Sequence, residues 1–227
     1  MKESRIIEVK QSILASNDLV ADEFRIARKA EGTFMVDIMG SPGAGKTTLL
    51  LGLIENIRAI DEVNIGVIEA DLESDVDALK IKEAGVVSVE LNTKGICHVE
   101  MGMVKRAFAA FGGTHFDYLF LENIGNLVCP AEFDTGCHVR MMLLSVPEGY
   151  DKVYKYPPMF AAVEALIITK SDYLPLNPDF DEAALAEAAR ALNPELKIFT
   201  VSARTGEGMK ELAAWIDSRR KEIMSTR

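Results

Sequence analysis

The sequence predicts a three-layer α/β/α domain with a mainly parallel seven-stranded sheet and an N-terminal helical extension. Seven apolar runs have the length and continuity of strands that are buried on both faces. Helix-like segments separate most of these runs, and this alternation is typical of parallel sheets. The runs cover residues 33–39, 63–70, 86–91, 117–122, 140–146, 165–169 and 197–202, and the helical segments cover 46–59, 74–84, 98–111, 179–192 and 207–223.

The first thirty residues also predict a helix, because apolar side chains recur along them. These side chains are Ile6, Ile7, Ile13, Leu14, Leu19 and Val20. We expect residues 1–31 to form a helical extension that packs on the outside of the sheet, and residues 32–227 to form the main domain.

The composition excludes several classes of protein. Lys and Arg total 25 against 35 Asp and Glu, a net charge of −10 at pH 7, whereas nucleic-acid binding requires a basic face. No apolar segment has the length of a membrane span, and the start lacks the apolar core of a signal peptide. Three cysteines do not make a disulfide scaffold. We therefore expect a cytoplasmic protein with free thiols and no nucleic-acid or membrane partner.

The stretch "GSPGAGKT" at 40–47 lies between a predicted strand and a predicted helix and matches the P-loop of NTPases. Its glycines let backbone N–H groups turn towards phosphate oxygens, and the helix N-terminus favours negative charge. Lys46 would reach the β- and γ-phosphates, and the Thr47 hydroxyl would bind Mg²⁺. We expect nucleotide contacts from Gly40, Ser41, Pro42, Gly43, Ala44, Gly45, Lys46, Thr47 and Thr48.

Carboxylates for Mg²⁺ are expected at the ends of two other strands, because this ion prefers oxygen ligands. Glu122 opens "ENIG", whose Gly125 N–H could turn towards a γ-phosphate. The stretch "EADLESDVD" places Asp71, Asp75 and Asp77 after the second strand. The Mg²⁺ ligands would be Thr47, Asp71, Asp77 and Glu122, and the catalytic groups Lys46, Asp71, Asp75 and Glu122. The alternative for each acid is a solvated helix start.

Base recognition is expected from "TKSD" at 169–172 and from the segment after the last strand. Asp172 could accept two hydrogen bonds from guanine, and the Lys170 stem could cover the ring. Backbone N–H groups of Ser202 and Ala203 could donate hydrogen bonds to guanine O6, a position at which adenine carries a donor. Arg204 follows them and is also expected to contact the nucleotide. The motif usually begins with Asn, which Thr169 replaces, so its hold on the P-loop is expected to loosen. Residues 32–227 are thus expected to form a P-loop GTPase domain that binds GTP and GDP.

The single glutamine of the chain, Gln11, lies in the N-terminal extension. A switch glutamine that orients water in Ras-like GTPases is therefore lacking. We expect slow intrinsic hydrolysis, with the water oriented by an acid such as Asp75 or by a partner chain.

Two of the three thiols lie near this predicted site. Cys97 precedes His98, and Cys129 follows Glu122 by seven residues. Free cysteines are often small buried apolar groups, which is the plain alternative. Neighbouring residues on a helix point about 100° apart, so a metal site would require a loop or a second subunit.

The P-loop, "LNTKGICHVE", "ENIGNLVCPAEFDTG", "PEGYDKVYKYP" and the late "TKSD" resemble the HypB family, GTPases that assist nickel insertion into nickel–iron hydrogenases. The resemblance covers nearly the whole chain. It implies a SIMIBI-class GTPase that forms a GTP-dependent homodimer, with Ni²⁺ or Zn²⁺ bound by Cys97, His98 and Cys129 across the interface. It also implies two partners, a HypA-type nickel chaperone and the hydrogenase large-subunit precursor. GTP would then change metal affinity through the segment that carries both Glu122 and Cys129.

Three other interpretations remain open, besides a supplementary ligand role for Cys137 and His138. One is a nickel GTPase for another enzyme such as urease, although "NLVCP" favours the hydrogenase branch. Another is a P-loop small-molecule kinase, which would need a lid with clustered arginines, whereas Arg106, Arg140 and Arg190 are scattered. The third is a metal chaperone whose nucleotide is only structural.

Overall fold

The computed structural model describes residues 2–71, 76–93 and 95–226, and for residues 2–12, 71 and 76–79 the backbone alone. Asp75 therefore lies outside the described residues.

A parallel sheet is the centre of the fold, as predicted. In the described residues it has seven strands in the order β3-β2-β4-β1-β5-β6-β7, and every neighbouring pair is parallel. The strands are Phe34–Gly40 (β1), Ile65–Asp71 (β2), Val87–Asn92 (β3), Tyr118–Gly125 (β4), Val139–Ser145 (β5), Ala165–Thr169 (β6) and Lys197–Thr200 (β7). All seven apolar runs of the sequence therefore form strands.

Helices cover the sheet and connect its strands. They are Lys2–Ala30 (α1), Lys46–Arg58 (α2), Val76–Glu83 (α3), Met101–Ala110 (α4), Lys152–Lys155 (α5), Pro157–Ala161 (α6), Glu182–Leu192 (α7) and Met209–Ser225 (α8). Short 3₁₀ turns occupy Cys129–Ala131, Val146–Glu148 and Ser171–Leu176. Helices α5 and α6 are absent from the sequence prediction, and the other six correspond to predicted segments.

Alternating residues of the central strands fill two separate layers of the core. In β1, Phe34 and Val36 pack with Leu53 of α2 and Leu212 of α8. Met35 faces the opposite side, together with strand β4, helix α4 and the second half of α1. A strand that is apolar on both faces is thus explained by helices on both sides of the sheet.

The second half of α1 is fixed to the main domain by polar contacts as well as by packing. Phe24 is buried beside α4, and Arg25 pairs with Asp134 at 2.5 Å. The Asn17 amide donates to the Asp134 carbonyl (2.8 Å), and its oxygen accepts from Met101 N (3.0 Å). Helix α1 therefore binds the loop before β5 and the start of α4.

Among the described residues, the helices are all too short or too polar to cross a membrane.

Candidate nucleotide and metal site

The P-loop lies between β1 and α2, at the carboxyl edge of the sheet. Gly43 and Gly45 adopt φ angles of 76° and 92°, which a residue with a side chain rarely adopts. Ala44 N donates to Ser41 O at 3.2 Å and closes the turn. The loop thus ends at the N-terminus of α2, where unpaired backbone N–H groups favour an anion.

A cavity of about 280 Å³ borders this loop, and three lysine side chains contribute to its lining. They are Lys46, Lys80 and Lys170. Lys46 Nζ lies 3.4 Å from Ser41 O, so its ammonium group is folded over the loop. Three positive charges around a helix N-terminus suit a polyphosphate. Lys80 lies in α3, whose sequence shows no phosphate-binding motif.

Thr47 and Glu122 meet in the same cavity. The Thr47 hydroxyl donates to Glu122 Oε1 at 2.7 Å, and both residues are only 7 % exposed. A hydroxyl and a carboxylate in contact are hard oxygen donors, which fits Mg²⁺. Asp71 ends β2 next to this edge of the sheet, but its side chain and that of Asp77 lie outside the described part, as does Asp75.

Glu148, within the stretch "PEGYDKVYKYP", contacts Ser41 of the P-loop from the turn after β5. Its carboxylate accepts hydrogen bonds from the Ser41 hydroxyl and from Ser145 N (2.8 Å) and Oγ (2.7 Å). The turn Val146–Glu148 after β5 thereby fixes the side chain of Ser41. The stretch "VPEG" shows only a capped turn, because the partner Ser41 is more than a hundred residues away.

A second cavity of about 210 Å³ adjoins the first and contains the residues expected to recognise the base. Thr169 Oγ1 donates to Ala44 O at 2.7 Å, so the hydroxyl contacts the P-loop, and a looser hold than Asn would give stays a prediction. Lys170 adopts a left-handed φ of 58°, and its Nζ donates to Gly43 O at 2.7 Å. Its aliphatic stem therefore lies along the cavity between the loop and β6.

Asp172 is held as a charged acceptor in this second cavity. It accepts from Ser202 Oγ (2.6 Å) and from Arg204 Nε and Nη2 (3.0 and 2.7 Å). The bond from Ser202, followed by that from Arg204, lowers the pKa of the Asp172 carboxyl. Ala203 also lines the cavity. The two predicted halves of the base site thus come together from β6 and from the loop after β7.

The thiols of Cys97 and Cys129 are adjacent, with their sulfur atoms 2.9 Å apart. His98 Nδ1 lies 3.9 Å from the Cys97 sulfur, but the imidazole stacks on Phe133 at 3.8 Å between ring centres. Among the described residues, no group of three His, Cys, Asp or Glu side chains is arranged to hold a metal ion. One chain therefore presents a pair of sulfur donors, Cys97 itself being exposed.

The Cys97 thiol keeps its proton more strongly than an isolated thiol. The hydrogen bond to Cys129 is the main cause of its raised pKa. Partial burial lowers the pKa of His98, which favours a neutral imidazole. Neutral imidazole and deprotonated thiols are the forms that bind Ni²⁺ or Zn²⁺, so metal binding here would release protons.

Cys137 is buried in the core, and the neighbouring His138 is partly buried. Cys137 is 3 % exposed, and burial raises its pKa well above the ordinary value. His138 Nδ1 accepts from Met35 N at 2.9 Å, so Nε2 carries the proton and points to Arg25 O at 3.2 Å. With both ring nitrogens engaged, His138 serves packing, and the structure offers no support for the supplementary ligand site.

Comparison with known proteins matches residues 34–200 to the family described as CobW/HypB/UreG, nucleotide-binding domain. A hydrogenase maturation factor HypB from Azotobacter chroococcum mcd 1 is 44 % identical over 220 residues, which cover 97 % of this chain and 71 % of that protein. A hydrogenase/urease maturation factor HypB from Helicobacter hepaticus is 35 % identical over 220 residues, covering 95 % and 89 % respectively.

The solved structure of HypB from Helicobacter pylori in complex with nickel superposes with a TM-score of 0.85 at 33 % identity, covering 93 % of this chain and 98 % of that chain. The fold agrees with this solved structure, and the sequence similarity to the relatives covers almost the whole of this chain. The chain therefore belongs to the HypB family of hydrogenase maturation factors, within the CobW/HypB/UreG group of P-loop nucleotide-binding proteins.

Proposed function

We propose that the protein is a GTP-hydrolysing metallochaperone whose nucleotide state controls nickel delivery during maturation of nickel–iron hydrogenases. The observation that carries this proposal is the pair of thiols 2.9 Å apart, one of which follows the Thr47-bonded Glu122 on the same segment. A nucleotide site and a soft metal donor pair are thus joined by seven residues of chain. This proximity supports a coupling between hydrolysis and metal release through one shared segment.

Hydrolysis would be carried out by the P-loop side of the site. Lys46 would hold the β- and γ-phosphates together with the backbone N–H groups of residues 40–48, except Pro42, which has none, and Gly125 N–H would contact the γ-phosphate. Mg²⁺, held by Thr47 and Glu122 with Asp71 and Asp77, would supply positive charge to the phosphate oxygens. Asp75 would orient the water. Without a switch glutamine, we infer a slow intrinsic rate.

Guanine would occupy the cavity beside Thr169. Asp172 already faces the cavity as an anion, and it would accept from the N1 and exocyclic amino groups of guanine. Arg204 would leave Asp172 or shift when the base enters, because both use the same carboxylate. Adenine offers no matching pair of donors, which favours GTP and GDP.

Nickel would be the cargo, bound between two chains. Each chain brings Cys97 and Cys129 side by side, and rotation of His98 away from Phe133 would add an imidazole. Two such sets suffice for one shared ion with four ligands. A GTP-dependent homodimer in the cytoplasm would then exchange nickel with a HypA-type chaperone and with the hydrogenase large-subunit precursor. Zn²⁺ would compete for the same donors.

The test is a titration of Ni²⁺ into the protein loaded with GDP or with a non-hydrolysable GTP analogue. The proposal expects nickel affinity and subunit stoichiometry to differ between the two states, with Cys129→Ala abolishing the difference. Cys137→Ala, which removes a buried thiol, is the matched control and should behave as the unchanged protein. Identical titrations in both nucleotide states would refute the coupling.

A second candidate is nickel delivery to urease, because the relative from Helicobacter hepaticus is named for both enzymes. The nickel-loaded protein with GTP is added to apo-hydrogenase precursor in one assay and to apo-urease in another, and the enzyme activity that appears in each assay distinguishes the two candidates. Activation of urease alone would favour this second candidate.

A further inference from the structure

Asn126 joins the P-loop to both thiol-bearing segments through three hydrogen bonds. Its backbone N–H donates to Gly40 O at 3.0 Å, at the first residue of the P-loop. Its side-chain Nδ2 donates to the carbonyl of Cys97 at 3.0 Å. Its Oδ1 accepts from Val128 N at 2.8 Å, directly before Cys129. One side chain therefore fixes the backbone at both cysteines.

Cys129 begins the 3₁₀ turn Cys129–Ala131, whose buried Pro130 accepts a hydrogen bond at its carbonyl from Arg140 Nη2 at 2.7 Å, whereas Cys97 lies in a loop. The apolar side chains that precede the two cysteines, Ile96 and Val128, are 42 % and 55 % exposed, so their burial contributes little. Residues 95–100 contain no helix or strand. Backbone hydrogen bonds from a neighbouring amide side chain are the means by which such a loop is ordered.

The link towards the nucleotide is equally close. Asn126 pairs with Gly40 in an antiparallel bridge at the end of β4. A Cβ at Gly125 would lie 2.9 Å from the backbone N of Pro42, so these two segments are in direct contact. A displacement of residues 40–42 on nucleotide binding must therefore move residues 125 and 126, and the Asn126 amide transmits this movement to Cys97.

We propose that Asn126 is a positioning residue that sets Cys97 beside Cys129 and makes their separation depend on the state of the P-loop. The metal side of this inference rests on the proposed function, but the thiol geometry does not. The two are therefore measured separately.

The first measurement uses metal-free protein carrying Cys137→Ala, so that only the pair reacts. Diamide accepts two electrons and two protons from the two thiols, which form one disulfide, and the reagent becomes a hydrazine. Asn126→Ala keeps the backbone bond to Gly40, and we expect it to slow formation of the Cys97–Cys129 disulfide about tenfold, because the thiols lose their fixed orientation. Asn126→Asp retains an acceptor for Val128 N–H but loses the donor to Cys97 O, and it should be equally slow.

The matched control is Asn193→Ala. Asn193 also donates from Nδ2 to a distant backbone carbonyl, Val163 O at 2.8 Å, and accepts from the backbone N two residues on, Glu195, at 3.2 Å. It lies far from the site along the chain, at the end of α7, so its replacement should leave the oxidation rate unchanged. Retained GDP binding by each variant shows that it is folded.

The second measurement is the thiolate-to-Ni²⁺ absorbance band in the GDP and GTP-analogue states. We expect Asn126→Ala to bind Ni²⁺ with an affinity that no longer differs between nucleotides, whereas Asn193→Ala keeps the difference. Oxidation of Asn126→Ala at the unchanged rate would overturn the inference. Slowed oxidation combined with no nickel binding by any variant, the unchanged protein included, would support the inference while refuting the proposed function.

Discussion

His138 makes the stability of the fold depend on pH. Its imidazole stacks on Phe34 at 5.6 Å between ring centres, and both nitrogens meet backbone groups of Met35 and Arg25. Burial lowers its pKa from 6.5 to about 4. The unfolded chain thus binds the proton more tightly than the folded chain, so acid favours unfolding. The stabilising contribution is complete above pH 6.5 and is lost as the pH falls to about 4.

The size of this effect follows from linkage between protonation and folding. Between pH 7.5 and pH 5 the unfolded His138 becomes almost fully protonated, whereas the folded one stays largely neutral. The difference corresponds to a loss of about 2 kcal/mol in the free energy of unfolding. Such a loss is a large share of the stability of a domain this size.

The assay is urea unfolding at pH 7.5 and pH 5, followed by the fluorescence of the single tryptophan, Trp215. His138→Gln should be less stable at pH 7.5, because two partly buried hydrogen bonds change. Its loss of stability between the two pH values should be smaller than that of the unchanged protein by about 2 kcal/mol. His115→Gln, which alters an exposed imidazole, is the control. Equal pH dependence in the unchanged protein and His138→Gln would refute the reasoning.

Three further changes test the nucleotide side. Thr169→Val removes the donor to Ala44 O, so it should lower the free energy of unfolding by about 1–3 kcal/mol and weaken GDP binding. Thr169→Ser keeps the hydroxyl and should keep GDP binding. Equal GDP affinities of the Val and Ser variants would contradict this prediction. Glu122→Gln should reduce the single-turnover rate of Mg²⁺-dependent GTP hydrolysis at least about tenfold, whereas GDP should still bind in the absence of Mg²⁺. An unchanged hydrolysis rate would exclude Glu122 from the metal site. Gly125→Ala should weaken nucleotide binding in a fluorescence titration, because its Cβ would lie 2.9 Å from Pro42 N; full affinity would show that the two segments can separate.

The strands were predictable because apolar runs buried between two helical layers leave a direct mark in the sequence. The end of β4 could not be predicted in this way, because the strand continues to Gly125, beyond the predicted end at residue 122. Asn123 breaks the apolar run, yet it is 1 % exposed, and its amide donates to the fully buried Asp37 at 3.1 Å. A polar residue can thus lie inside a strand when its partner comes from a neighbouring strand, and such pairs are invisible in a local pattern.

Helices α5 and α6 escaped prediction for a different reason. They have four and five residues, fewer than two turns, so no helical periodicity can develop. The P-loop, the Glu122 segment and the residues expected to recognise the base could be located in the sequence because each is a short contiguous motif, and their roles stay predictions. Glu148, Lys80 and Asn126 could not be located in this way, because each acts on a segment distant in the chain. Asp75 and the side chains of Asp71 and Asp77 stay predictions.

The strand order also determines when the nucleotide site can exist during synthesis. Strand β1 pairs with β4 and β5, so the P-loop is without its two neighbours until residue 145 has been made. Thr169 and Ser202, which line the cavity proposed for the base, are made later still. Ribosomes add roughly 5–20 residues per second, so the roughly 160 residues after Gly40 require on the order of 10–30 s. A nascent chain therefore carries its P-loop sequence long before the strands and loops around it are made, and we expect nucleotide binding to mark a chain in which β7 is already complete.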